Sequence, residues 1–392
     1  MNKFQELEKK YHFNNYGRFP ITLSHGKGSK LWDVDGKEYL DGLSGIAVCS
    51  LGHSHPEITK TICEQANKIM HVSNFFTTEP LALVSKLICQ KSGMDKVFFC
   101  NSGAEATEGA VKVARKYNSM NGKKACDIIS MENSFHGRTI ATIAMGKKKY
   151  QEGFEPMPTG FIKAELNNIE DLKSKITPNA GAIIIETIQG EGGIRVADVN
   201  YLQEARRICD ENDILLIADE VQCGIGRTGY FYAYQEYNIK PDLVCSAKGI
   251  AAGFPMGAVL ATDKVAACIE PGNHGTTFGG NPLACAVSLT TLNIVGQNEF
   301  LEEVKEKGKY FIEKLQNSLN NFSVFEEVRG TGLMIGVQLN IPSKPVVLKM
   351  LEKGVIVNST SDTVIRIVPP LIITKSEIDT IVDTLVETLK EF

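Results

Sequence analysis

A lysine followed by glycine closes the stretch Val244-Cys245-Ser246-Ala247-Lys248-Gly249, where an apolar run gives way to small residues. An amine aimed from the end of a strand into a cleft sheds its proton as it is desolvated and can then form a Schiff base with a carbonyl. Asp219, 29 residues earlier, ends the apolar run Ile214-Leu215-Leu216-Ile217-Ala218 and precedes Glu220. A carboxylate there can keep a heterocyclic nitrogen protonated. In Val97-Phe98-Phe99-Cys100-Asn101-Ser102-Gly103-Ala104-Glu105-Ala106 a strand runs into a small polar turn and a helix begins near Ala104. Ser102 is the expected cap, and the free amides around Gly103 and Ala104 make an anion site.

Each feature alone has an ordinary reading: a solvated lysine, a capping aspartate, a plain helix start. Together they are narrower, because a phosphate cradle, a pyridinium partner and an imine-forming lysine are what pyridoxal phosphate requires. Dinucleotide and P-loop patterns are missing, so neither of those modes of phosphate binding has a motif behind it. Further candidates lie between these runs. Phe135 and Arg138, in Ser134-Phe135-His136-Gly137-Arg138-Thr139, offer a stacking ring beside a guanidinium that can hold a carboxylate by two parallel bonds. Thr276 and Thr277 sit in the glycine-rich turn Gly275–Pro282, Glu186 and Glu191 flank another strand end, and Arg366 lies in Ile365-Arg366-Ile367-Val368-Pro369-Pro370. Singly, Phe135 reads as core, the two arginines as surface residues, and the threonines as a helix entry. His53 and His55 are spaced i, i+2 before Pro56, with no third ligand pattern, so they read as a helix entry and no metal is expected.

The elements that must position these groups alternate. Val97–Cys100, Ala125–Ser130, Ala182–Glu186, Ile214–Ala218, Leu243–Ser246 and Ala258–Ala261 are the expected strands, with helical patterns between many of them, as in Tyr201–Asn212. That alternation predicts an α/β fold with a mostly parallel sheet covered on both faces. Before it, Leu31–Leu40 reads as two strands around an Asp-Gly turn. After it come a helix over Asn298–Leu319, strands near Gly332–Leu339 and Val364–Val368, and a closing helix over Ser376–Phe392. The expected division is an N-terminal segment 1–45 packing with the small domain, a large cofactor-binding domain 46–290, and a smaller α+β domain 291–392.

Composition excludes several other classes. Forty-two basic against 46 acidic residues leave a net charge of −4, which gives no footprint for nucleic acid. No apolar run reaches the ~18–20 residues of a membrane span. The start carries charge where a secretion signal would be apolar, and the ten cysteines are never closer than the 11 residues from Cys89 to Cys100. Free thiols in the cytoplasm are expected.

Taken in order, these motifs, together with Gly45-Ile46-Ala47-Val48, Leu51-Gly52-His53-Ser54-His55-Pro56, Ser73–Pro80 and Gln189-Gly190-Glu191-Gly192-Gly193, resemble the class III (fold-type I) pyridoxal-phosphate aminotransferases over essentially the whole chain. Among them they are most similar to the acetylornithine group. Two positions depart from the usual pattern, Thr107 and Thr187, both beside the matching residues. The resemblance implies that Lys248 holds the cofactor through an imine and later moves the substrate proton, while Asp219 keeps the pyridine nitrogen protonated. It implies cofactor contacts from Ser102, Gly103, Ala104, Phe135, Val221 and Gln222, with Thr277 reaching the phosphate from the partner subunit of a homodimer. Substrate contacts fall to Arg138, Glu191, Thr276 and Arg366. The implied reaction moves the distal amine of N2-acetyl-L-ornithine to 2-oxoglutarate in two half-reactions, with Glu191 neutralising Arg366 in the first and swinging away in the second. Ornithine, succinyl-ornithine, acetyl-lysine and 4-aminobutyrate are rival amino donors. A non-catalytic scaffold would have no need of Lys248, Asp219 and Arg138 together.

Overall fold

A computed structural model describes residues 2–123 and 125–392; Met1 and Lys124 lie outside the described residues. Successive side chains of a strand point to opposite faces, and the central strands use this to feed two apolar layers at once. Ile183, Ile185, Leu216, Ala218, Val244 and Leu260 join one cluster, and their neighbours Ala182, Ile184, Leu215, Ile217, Leu243 and Val259 join another. These residues are almost all apolar and buried, which is why the strands read as unbroken hydrophobic runs.

The sheet they build has seven strands, in the spatial order Lys96–Cys100, Gly257–Ala261, Leu243–Ser246, Leu215–Asp219, Ala180–Ile185, Asp127–Met131, Phe161–Ala164. Gly257–Ala261 runs antiparallel to both neighbours, and the other pairs formed among Leu243–Ser246, Leu215–Asp219, Ala180–Ile185, Asp127–Met131 and Phe161–Ala164 are parallel. The edge strand Phe161–Ala164, only partly buried, has no counterpart among the expected strands. Ala182–Glu186 is corrected to Ala180–Ile185, which leaves Glu186 just beyond the strand end. The helix Gly103–Met120 covers one face through Ala106, Ala110, Ala114 and Tyr117.

The remaining strands form smaller sheets. Leu23–Lys27, Lys30–Asp33 and Glu38–Asp41 are joined by Val355–Ile356, which pairs in parallel with Glu38–Asp41. An antiparallel set runs Phe325–Thr331, Met334–Leu339, Val364–Ile367, Asn358–Thr360, packed by the helices Asn298–Leu319, Ser343–Glu352 and Lys375–Leu389. The expected strand near Gly332–Leu339 is thus the second arm of a hairpin whose turn is at Gly332, φ +55. No helix among the described residues is long and apolar enough to cross a membrane.

Candidate active site

The parallel strands deliver their carboxyl ends to one cleft, where such sheets bind ligands. The strand Lys96–Cys100 empties into Asn101 and Ser102. The Ser102 hydroxyl accepts from Glu105 N at 3.2 Å and caps the helix, leaving the Gly103 and Ala104 amides at its positive end. A Cβ at Gly103 would meet Val221 Cγ1 at 2.8 Å, so a larger residue there would push Val221, which lines the same cavity, out of place. Ser102, Gly103, Ala104, Phe135, Arg138, Asp219, Val221, Gln222 and Lys248 all line this one cavity of about 450 Å³.

Lys248 enters in a left-handed conformation, φ +47, directly after the strand Leu243–Ser246. Its ammonium has no ion pair among the described residues. Burial and the charge of Arg366 lower the amine to about 8, against the opposing pull of Glu191, Asp219 and Glu186. Asp219, buried as the last residue of its strand, accepts from Val221 N at 3.0 Å and faces His136 Nδ1 at 2.6 Å. Glu186 accepts from Phe135 N at 3.1 Å. Burial and the nearby Asp219 push its carboxyl well above the usual range, although the Phe135 amide and Lys248 oppose this.

Glu191 and Arg366 do not themselves line this cavity but form an ion pair beside its wall, with Arg366 only 1% exposed and Glu191 26%. Arg366 also donates to Asn358 Oδ1 at 3.1 Å and to Gln222 Oε1 at 3.2 Å, which ties the pair to the cavity wall. Burial raises the Glu191 carboxyl, but the Arg366 charge and hydrogen bond outweigh it and hold the group below its ordinary value. The backbone carbonyl of Glu191 accepts from Lys147 Nζ at 2.7 Å, Thr360 Oγ1 at 3.1 Å and Ser361 Oγ at 3.3 Å. The carboxylate can therefore move only by side-chain rotation. Thr276 and Thr277 stand apart from the other candidates. Thr276 Oγ1 accepts from Asn101 Nδ2 at 3.1 Å, beside the cavity, and Thr277 is exposed.

Three features escaped the sequence reading. His136 is fully buried with Nε2 unpartnered, and its side chain meets Asp219; its place between Phe135 and Gly137 was the only signal. Tyr150 stands edge-on to Phe135 at 5.8 Å and under Arg138 at 4.0 Å, and nothing in Lys147-Lys148-Lys149-Tyr150 announces it. Ser44, Gly45, Ile46 and Ala47 are all left-handed, at φ +48, +65, +67 and +60, immediately before Val48, a cavity-lining residue. The cost of that conformation at Ile46 is met by anchors: Asp41 Oδ1 accepts from Leu43 N and Ser44 N at 2.8 Å each, and Ser44 Oγ donates to Val368 O at 2.6 Å. His53 pairs with Asp41 Oδ2 at 2.7 Å, and His55 precedes the helix Pro56–Lys68.

An unpaired buried amine, a buried carboxylate, free helix-start amides at Gly103 and Ala104, and a ring between them fit pyridoxal phosphate. Comparison with known proteins agrees. The acetylornithine aminotransferase of Methanocaldococcus jannaschii is 49% identical over 388 residues, covering 98% of each chain. The ornithine aminotransferase of Toxoplasma gondii superposes with a TM-score of 0.95 at 32% identity, covering 99% of this chain and 94% of that one. Acetylornithine aminotransferase from Elizabethkingia anophelis superposes at 0.89 with 35% identity, covering 99% and 98%. Residues 11–389 match the family described as aminotransferase class-III, and the chain belongs to that family of pyridoxal-phosphate enzymes.

Proposed function

We propose that the chain transfers the distal amino group of N2-acetyl-L-ornithine to 2-oxoglutarate, giving N-acetyl-L-glutamate 5-semialdehyde and L-glutamate, as a cytoplasmic homodimer serving arginine biosynthesis. When bound, pyridoxal phosphate supplies an aldehyde that captures amines and a ring that withdraws electrons from the carbon bearing them. The chain's residues do the rest. Lys248 carries a proton on and off that carbon at Nζ, which its lowered proton affinity suits. Asp219, oriented by His136, would hold the proton on the ring nitrogen, Phe135 would lie against the ring, and the Gly103 and Ala104 amides would take the phosphate.

The observation that carries the substrate reading is the pairing of one arginine and not the other. Among the described residues Arg138 has no carboxylate partner, whereas Arg366 is paired with Glu191. An amino donor reacting at its distal amine presents its carboxylate far from the ring, to Arg138, and asks nothing of Arg366. Glutamate reacts at its α-amine, so its α-carboxylate needs Arg366 while its side-chain carboxylate takes Arg138. A side-chain rotation of Glu191 serves both. The names of the relatives support the acetylated donor. A panel of acetylornithine, ornithine, succinyl-ornithine, acetyl-lysine and 4-aminobutyrate, each with 2-oxoglutarate and glutamate release as readout, tests it; a higher kcat/KM for any other donor overturns it.

The dimer rests on the cleft mouth. Phe75 is 93% exposed, and Phe76, Phe278 and Thr277 are exposed around it, an apolar surface that a second copy would cover while bringing Thr277 to its neighbour's phosphate. A fully active monomer in sedimentation under assay conditions would refute this.

A further inference from the structure

Arg138 finds no acceptor for its guanidinium among the described residues; what it meets is aromatic. Its Cζ lies 4.0 Å from the Tyr150 ring centroid and 5.4 Å from that of Phe135. The two rings meet edge to face, 5.8 Å apart at 90°. Tyr150 itself is held firmly. It closes the short 3-10 turn Lys148–Tyr150, its amide donates to Lys147 O at 2.9 Å, and Gln151 Nε2 ties the turn to Ile143 O at 3.0 Å. Lys147, at the head of the turn, is bonded to the Glu191 carbonyl. The phenol consequently lies among the charges of the cleft: burial and Glu191 raise its pKa while Arg138 and Arg366 oppose them.

We propose that Tyr150 is the positioning residue for Arg138: its ring face is the platform on which the guanidinium rests, with the N–H edge left free for the substrate's distal carboxylate. An arginine on a long unbranched stem otherwise loses rotamer freedom when a ligand orders it. A platform fixed before binding removes part of that cost, and cation–π attraction supplies the hold. Lys149 Nζ is near the same ring, but at 5.6 Å it is the more distant cation. The proposal rests on Arg138 being the distal-carboxylate site.

The test uses the holoenzyme and the glutamate half-reaction, with glutarate titrated against the cofactor absorbance as a binding probe. Tyr150→Leu should raise the glutamate KM and the glutarate Kd about 3- to 30-fold with little change in kcat, and Tyr150→Phe, which keeps the ring, should restore both to within about twofold. Because the effect passes through Arg138, adding Tyr150→Leu to Arg138→Ala should cost nothing further. Unchanged KM and Kd in Tyr150→Leu, a loss confined to kcat, or a Tyr150→Phe variant as weak as Tyr150→Leu would each overturn the proposal. Arg138→Ala alone with an unchanged glutamate KM would instead remove the reading on which it rests, whatever Tyr150 does.

Discussion

Replacing Glu191 by glutamine removes one negative charge and almost no volume. Arg366 then keeps Asn358 and Gln222 as acceptors at 3.1 and 3.2 Å, so the buried guanidinium is not left without partners and the fold should hold. What disappears is a charge-assisted bond in a nearly buried setting, worth about 1.5–3 kcal/mol, well above the ~0–1 kcal/mol of an exposed pair. Glutamate must displace Glu191 from Arg366 before its α-carboxylate can bind, and in the variant that competitor is neutral. Acetylornithine gains nothing from a bare Arg366 and meets an uncompensated positive charge beside its amine. The ratio of kcat/KM for the two half-reactions should therefore move toward glutamate by about 10- to 150-fold. Single-turnover measurement of each half-reaction by cofactor absorbance reads the two separately. Equal changes in both halves would refute the switching role, because they would mean that Glu191 acts on the site as a whole and not on one arginine.

Lys248→Ala should abolish turnover while cofactor still binds non-covalently through Asp219 and the helix-start amides; near-wild-type activity would contradict the assigned role, and dialysis followed by absorbance shows whether cofactor stays. In the apoenzyme the Lys248 amine is lowered from 10.5 to about 8, so its burial destabilises the fold fully below pH 8 and progressively less as the pH rises to 10.5. Lys248→Met should accordingly stabilise the apoenzyme at pH 7, by no more than the ~3 kcal/mol such a shift represents, and the resulting rise in Tm should shrink toward pH 10.5 in melting scans. His136→Leu should lower kcat by about tenfold, since a bond to a buried carboxylate is lost, and should shift the pH at which the bound cofactor's absorbance changes. An unchanged absorbance titration would show that His136 does not tune Asp219.

Much of the site was legible because its residues stand at strand ends, and buried parallel strands are conspicuous as apolar runs. Asp219 is the last residue of Leu215–Asp219, and Lys248 follows two residues after Leu243–Ser246 stops, so both could be placed from the ends of apolar runs. The capping role of Ser102 followed from residue type and spacing. Other parts depend on contacts between distant segments. Phe161–Ala164 escaped because an edge strand half in solvent, with a lysine in it, lacks the apolar run. Tyr150 was invisible because it sits in a lysine-rich turn and acts only through residues a dozen or more positions away. The left-handed run Ser44–Ala47 contains just one glycine, so nothing in composition suggests it; Asp41 and Val368 impose it from outside.

The parallel pairing of Glu38–Asp41 with Val355–Ile356 bears on how the chain is made. Leu40 N donates to Gly354 O and Gly42 N to Ile356 O, both at 2.8 Å, and Lys37 reaches Glu352 O across 315 positions. At translation rates of about 5–20 residues per second, the early strand waits roughly 15–60 s for its partner to be synthesised. Tyr39 and Leu40, buried in the finished protein, spend that interval uncovered unless something shields them. Closing so long a loop carries an entropic penalty that the later contacts must offset, so this pairing should be among the last to form. A nascent chain stalled before residue 355 would leave that edge of Glu38–Asp41 open to pairing with another strand.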